Sequence, residues 1–321
     1  MRIKKNFGER KIVLDSSLPT KKYFLAFEGM KTEIQYFEGI CDHKEVLKIN
    51  PSIELIPLLR NHPFAGWSNP IKVFERVKYC LDNLQNNSRN VSAIINSIVE
   101  YCFENSDDIN TKRDADELYQ SILSIFNLDF QLGEREDFDF YDDKMESMIQ
   151  TIMVKLRVKH FVANLDEFIN SQFISYDPSF DEVCLIVDRD KNSFSTIQYD
   201  NLIEKCSKNN YKLFVSNPCF EFWLLLHFDD VFKINKQQLL ENEKHFVKDK
   251  YNNILKVNFT EKELRKIVPE FEKNNLDFYP FLTRIDLAIE NAKHFEQSID
   301  KLKYNIGSNV GLLIDELREE L

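Results

Sequence analysis

Carboxylates stand where three short apolar runs come to an end. Glu28 follows YFLAF at 23–27, and Asp188 and Asp190 follow EVCLIV at 182–187. Glu221 lies near the start of PCFEFWLLLHF, which comes after a third run at 211–215. Runs of this length bounded by polar residues read as buried strands. A charge closing such a strand is costly unless something compensates it. In open α/β sheets the carboxyl edge of the strands is where ligands bind. Strands alternating with helices are expected to be parallel, so all four acids would open on one crevice and repel one another unless cations lay between them. Strand side chains two apart share a face, which lets Asp188 and Asp190 point together. Hard oxygen ligands select Mg²⁺ or Mn²⁺. Such ions activate water and stabilise charge on a phosphate under in-line attack. Taken singly, Glu28 also reads as a solvated turn acid and the DxD as a loop; their joint placement favours the metal.

The elements around these acids follow from local signals. Thr32 and Gln35 have capping-box spacing for a helix with Ile34, Phe37 and Cys41 on its apolar face. A second strand is expected at 52–58 and a boundary at 61–69, with Pro70 at a first helical position. Helical stripes then run to about residue 175: Ile71, Phe74, Val77, Leu81 and Leu84; Val91, Ile94, Ile95, Ile98, Val99 and Cys102; Leu118, Tyr119, Ile122 and Phe126; Met145, Met148, Ile149, Ile152 and Leu156. After 211–215, Asn217 and Pro218 read as N-cap and first helical residue. The next helix is apolar nearly all round and should be buried. His227 shares its stripe with Phe220 and Leu224 and reads as a core histidine rather than a general base. Thr260 and Glu263 have capping-box spacing. One long stripe, Ile285 to Ile299, precedes a tail helix carrying Val310, Leu313, Ile314 and Leu317.

The 321 residues, 43% hydrophobic, suffice for one large core or two modest ones. With 27 Phe and 7 Gly, Gly-rich phosphate-cradling folds are disfavoured. No apolar run is long enough to span a bilayer, and the basic start MRIKKNFGERK has no apolar stretch behind it to make a secretory signal. Six scattered cysteines without CxxC spacing suit a reducing, cytoplasmic setting. The net charge of −11 misleads, because residues 100–146, with 15 acids against 4 bases, supply all of it. Residues 1–22 and 244–273 are locally basic, and Lys248, Lys250, Lys256, Arg265 and Lys266 are expected to meet phosphates. The acidic, aromatic run at 134–143 reads as a solvated loop or as a docking segment for a protein partner.

Together FEGMKTEIQYF, the strand-ending DRD and SNPCFEFWLLLHF resemble RloB-like proteins over about 21–59 and 180–321. The resemblance implies an α/β fold, a Toprim-like parallel sheet flanked by helices, with a large all-helical insertion. The expected domains are a catalytic part at 1–59 and 179–321 and an insertion at 60–178. It implies metal-binding acids at Glu28, Asp188 and Asp190; Glu33, Asn217, Glu221 and His227 match family positions of less settled role. NIGSNVGLLIDEL is similar to the family's NPSTNV-type ending, with Ile306 where Pro is usual and Ser308 where Thr is usual. The activity implied is a Mg²⁺- or Mn²⁺-dependent nuclease cutting tRNA or DNA in antiphage defence by abortive infection. Glu221 would be an accessory ligand or orient water, and Lys31 or Lys191 would contact phosphate. No GxxxxGK[ST] is present, so an ATPase would be a separate subunit. Other expected partners are the nucleic acid and a second copy in a homodimer, with no membrane. Two alternatives use the same residues: a non-catalytic scaffolding or inhibitory subunit of an ATPase complex, and nucleotidyl transfer.

Overall fold

The structure is a computed structural model that describes residues 20–29, 31–58, 69–86, 90–105, 109, 111–136, 147, 150–154, 176–248 and 253–319. In chain order its labelled elements begin with β1 (Lys21–Phe27), α1 (Thr32–Asp42), β2 (Ile53–Pro57), α2 (Pro70–Asn86), α3 (Val91–Asn105) and α4 (Lys112–Asp129). There follow β3 (Glu182–Asp188), α5 (Thr196–Lys208), β4 (Lys212–Asn217), α6 (Phe220–Leu225), α7 (Lys236–Glu241), β5 (Lys244–Lys248) and β6 (Ile254–Asn258). The chain closes with α8 (Phe259–Ile267), α9 (Tyr279–Leu282), α10 (Ile285–Ala292), α11 (Ile299–Leu302), β7 (Gly307–Ser308) and α12 (Val310–Glu316). Two compact units result: Met1–Leu58, Trp67–Glu75 and Ser179–Leu321 form one, Leu59–Gly66 and Arg76–Pro178 the other.

The first unit is built on a five-stranded sheet of order β2-β1-β3-β4-β7. Its first four strands are parallel, and β7 pairs antiparallel to β4. β1 and β3 lie inside the sheet and are buried along five consecutive residues each. Covered on both faces, they need apolar residues throughout, which is why their sequences do not alternate. Phe27 lies opposite Ile186, and Asp188 opposite Ser216. The carboxyl ends of β1, β3 and β4 therefore share one edge. All six residues of α6 are buried in the core around Trp223, as its all-round apolar sequence requires.

Two local expectations give way to tertiary contacts. α8 starts at Phe259, and both the amide and hydroxyl of Thr260 donate to Asn242 Oδ1 instead of capping a helix (3.0 and 2.8 Å). The long C-terminal stripe is split between α10 and α11, because the intervening chain pairs with the start of β7. The Glu296 N–H donates to the Ile306 carbonyl. Gly307 is required there, since an added Cβ would fall 1.9 Å from the Glu296 carbonyl oxygen.

β5 and β6 form an antiparallel hairpin separate from the main sheet. It falls in the basic zone, where the sequence signals no strands.

In the second unit α3 and α4 pack through Ile94, Ile95, Ile98, Leu118, Ile122 and Phe126, joined by Ile152 and Met153. A capping box of Thr111 and Asp114 starts α4. The amides of Val91 and Ser92 donate to the carbonyls of Glu136 and Glu134, so the head of the acidic run closes the start of α3. The rest of that run, the stripe positions Met145, Met148, Ile149 and Leu156, and the basic arm at 1–19 lie outside the described residues. Among the described residues no helix is long and apolar enough to cross a membrane. All six cysteines are free, and burial pushes the thiols of Cys41, Cys102 and Cys206 up to about 12, as for small core residues.

Candidate functional site

Glu28 is the first residue past β1. Its amide donates to the Ile186 carbonyl at 3.1 Å, and its Oε2 accepts the Asp188 amide at 2.9 Å. The acid is thus tied to the neighbouring strand at the sheet edge. Asp188 ends β3, and its Oδ1 accepts the Phe220 amide at 2.8 Å, which docks the start of α6 against it. Glu221 is the second residue of α6 and is buried. Glu33, in the first turn of α1, folds back so that its Oε1 accepts the Gly29 amide at 3.1 Å. A Cβ at Gly29 would fall 2.0 Å from Glu33 Oε2, so a larger residue there would displace the Glu33 carboxylate from this position.

A lysine reaches the group. Lys273 Nζ lies 2.6 Å from Glu221 Oε1, with side-chain exposure of 46% for the lysine and 2% for the glutamate. The residues expected to cap α1 hold the lysine's loop in place. Thr32 donates to the Lys273 carbonyl, and Gln35 Oε1 accepts the Leu276 amide at 2.8 Å. The cap position is taken by Lys31, which makes no side-chain capping bond. The capping-box reading fails because both side chains have tertiary partners.

Burial pushes the Asp188 carboxyl well above the usual range, and the charges of Glu28, Glu33 and Glu221 push in the same direction. Burial likewise raises Glu33, with Glu221 adding to it. Burial alone would raise Glu221 too, but Lys273 and the Cys219 thiol overcome it and hold this acid below the usual range. Proximity to Glu221 in turn raises Lys273. Protons are therefore drawn to Asp188 and Glu33, while Glu221 stays ionised against its lysine. The second oxygen of Glu221, Oε2, is buried and has no hydrogen-bond partner among the described residues.

The structure brings Glu28, Asp188 and Glu221 together and adds Glu33 and Lys273. Asp190 is placed differently. Pairing of β3 stops at Asp188, so strand alternation does not carry to Asp190. It is exposed, and its carboxylate accepts the Asn192 amide (3.0 Å) and the Ser193 hydroxyl (3.1 Å). Arg189 between them is buried; its guanidinium donates to the carbonyls of Phe194 (2.6 Å) and Lys303 (3.1 Å). Asn217 is the last residue of β4 rather than an N-cap, a position held by Cys219. Its amide group donates to the carbonyls of Leu302 (2.6 Å) and Asn305 (3.0 Å), anchoring that turn to the sheet. His227 is fully buried; its Nδ1 lies 3.1 Å from the Trp223 carbonyl and its Nε2 3.0 Å from the Tyr36 hydroxyl. Because a carbonyl only accepts, Nδ1 carries the proton and Nε2 accepts from Tyr36. Burial lowers its pKa to about 3, so it is a neutral core residue. Lys31 and Lys191 are exposed.

Among the described residues no three His, Cys, Asp or Glu side chains are poised to hold a metal ion as they stand. The donor set nonetheless fits one: carboxylate oxygens, an orphaned buried oxygen on Glu221, and a lysine ammonium drawn in as the neutralising cation. Glu33 lies in a quoted motif. Lys273 has no local signature and is found only through the fold.

A family model described as RloB-like protein matches residues 141–317. The match spans more than half of the chain and includes Asp188, Asp190, Glu221 and Lys273; Glu28 and Glu33 precede it. No curated protein and no solved structure matches the chain.

Proposed function

The chain belongs to the RloB-like family, and from that premise we propose that it is a metal-dependent nuclease hydrolysing phosphodiester bonds in tRNA or DNA through a Toprim-type site. The observation that carries this reading is the convergence of Glu28, Asp188 and Glu221 at one sheet edge, with the charge of Glu33 acting on Asp188 and Glu221 Oε2 unpartnered among the described residues. Like charges are gathered this way where a cation is to be held.

Glu28, Asp188 and Glu221 would hold the ion; Asp190 joins them only if its carboxylate leaves Asn192 and Ser193. Bound Mg²⁺ or Mn²⁺ would supply Lewis acidity and an activated water at the phosphate. Amides fix the near oxygens: Asp188 N–H orients Glu28, and Phe220 N–H orients Asp188. Lys273, half exposed beside Glu221, would turn from the carboxylate to a substrate phosphate oxygen. His227 takes no part, since both its nitrogens are engaged in the core. The proposal extends to action in antiphage defence, with a separate ATPase subunit controlling the nuclease and two copies associating.

A second reading is favoured by one observation. Lys273 already neutralises Glu221 without a metal, as suits a non-catalytic subunit of an ATPase complex. Incubating the protein with tRNA, single-stranded DNA and duplex DNA in Mg²⁺, Mn²⁺ or EDTA separates the two. Cleavage abolished by EDTA supports the nuclease; no cleavage, together with no calorimetric metal binding, supports the non-catalytic subunit.

A further inference from the structure

The β5–β6 hairpin has two unlike faces. His245, Val247, Leu255 and Val257 alternate toward the protein, where the His245 ring lies against Phe259 of α8. The outward face carries Lys244, Phe246, Lys248, Ile254 and Lys256, all exposed. Phe246 is 74% exposed and Ile254 70%. Phe246 sits directly across from Lys256, and Lys248 across from Ile254. Lys244 and Lys248 flank Phe246 two positions away along the strand, about 7 Å on either side. The described outward positions include no acid.

Among the described residues no partner takes up the charge of this face, and its two large apolar side chains stay exposed. Arg265 and Lys266, from the same basic zone, pair with Glu261 and Glu263. Lys244, Lys248 and Lys256 make no ion pair among the described residues. Lysines surrounding a bare aromatic ring are complementary to a backbone of phosphates with an unstacked base. A paired base, by contrast, offers no face to a ring. Beside the hairpin a cleft of about 480 Å³ lies between Leu255 to Val257, α8 and the 269–275 loop. Lys273, the lysine on Glu221, is among the residues lining that cleft, with Arg265 and the acids Glu261, Glu270 and Glu272.

We propose that the outward face of the β5–β6 hairpin is a binding platform for single-stranded nucleic acid, with Phe246 stacking on a base and Lys244, Lys248 and Lys256 contacting phosphates. It deepens the nuclease reading by naming unpaired strand as the substrate class, and it rests on that reading for the strand's destination, not for the binding itself.

Fluorescence anisotropy with labelled oligothymidylate, oligouridylate and a mixed-sequence duplex, all in EDTA, measures binding without turnover. Phe246→Ala is expected to weaken single-strand binding by about 5- to 150-fold, and Phe246→Tyr to restore it, with thermal unfolding unchanged in both. The triple variant Lys244→Gln, Lys248→Gln, Lys256→Gln is expected to lower the salt slope on single strands by about 2. Wild-type-like affinity and slope in these variants would overturn the platform, as would tighter binding of duplex. Cleavage of the same oligonucleotides in Mg²⁺ is scored in parallel. Cleavage with hairpin-independent binding refutes the platform and leaves the nuclease standing. Hairpin-dependent binding without cleavage refutes the nuclease and leaves the platform.

Discussion

Replacing Lys273 with methionine tests how the carboxylate cluster is tolerated. Lys273 is the cation paired with Glu221, which is buried while the lysine side chain is 46% exposed. Removing one partner of a fully buried pair costs about 3–5 kcal/mol, whereas exposed pairs are worth about 0–1 kcal/mol. With one partner buried and the other half in water, a loss of about 2–3 kcal/mol is expected at neutral pH. The loss should depend on pH in a defined direction. In the wild type the Glu221 pKa is lowered, so this group stabilises the fold above its unfolded pKa and loses that contribution as pH falls. Without Lys273, burial and the neighbouring acids raise the Glu221 pKa instead. Its contribution is then complete below an unfolded value of about 4.3 and is lost as pH rises, by about 1.4 kcal/mol per unit until the folded pKa is passed. The deficit of Lys273→Met should therefore be smallest below about pH 4 and larger at pH 8 than at pH 5. Urea unfolding followed by tryptophan fluorescence reports it, since Trp223 is buried two residues beyond Glu221. Added Mg²⁺ or Mn²⁺ should recover more stability in the variant than in the wild type, because the ion no longer competes with the ammonium; at one hundred times its Kd a ligand contributes about 2.7 kcal/mol. An equal deficit at pH 5 and pH 8 would refute the idea that this lysine keeps Glu221 charged.

Other outcomes follow from the same geometry. Glu28→Gln or Asp188→Asn should abolish metal-dependent cleavage and calorimetric metal binding with the fold intact, as read by circular dichroism, because each change relieves repulsion in the cluster. His227 is held neutral with a pKa near 3, so the unfolded chain takes up a proton there that the native state refuses. Stability is lost on this account as pH falls from about 6.5 toward 3, by about 1.4 kcal/mol per unit. His227→Phe should remove that acid limb while costing about 1–3 kcal/mol at pH 7 for the Tyr36 hydroxyl left without its acceptor; parallel wild-type and variant curves would contradict it. Asn217→Ala, which frees the Leu302 and Asn305 carbonyls, should cost about 2 kcal/mol in denaturant unfolding and leave metal affinity unchanged.

The strand ends were legible because a short apolar run followed at once by an acid has few explanations. Glu28 and Asp188 stand where that pattern puts them, and α6 is as buried as its composition requires. Rules confined to a few neighbouring residues failed wherever a distant partner was within reach. Thr32 and Gln35 have capping-box spacing, yet they bond the 273–276 loop. Asn217 resembles a cap, yet it secures the 302–305 turn. Asp190 sits two residues from Asp188, but the strand's alternation ends with its last paired residue, and the next turn claims the carboxylate. The hairpin escaped notice because Phe246 and Ile254 on its outward side and His245 on its inward side break the apolar/polar alternation of KHFVK and ILKVN, in a segment otherwise read for charge.

Lys273 was beyond any reading of local pattern, and it decides how the site is to be understood. Four acids crowded at one edge repel one another in the absence of cations; the raised proton affinity of Asp188 and Glu33 and the ammonium on Glu221 ease that repulsion from within the chain. Such an arrangement suits a site that holds a divalent ion, because Lys273 stands where part of the charge that the ion would supply is needed. It is held by side-chain and backbone bonds from α1 to the loop, so the opening of the site is coupled to the seating of residues 273–276 on Thr32 and Gln35. Loosening that seat, by Thr32→Val or Gln35→Ala, acts on the lysine without touching a carboxylate. Such a change should shift metal affinity in the same direction as Lys273→Met and by less.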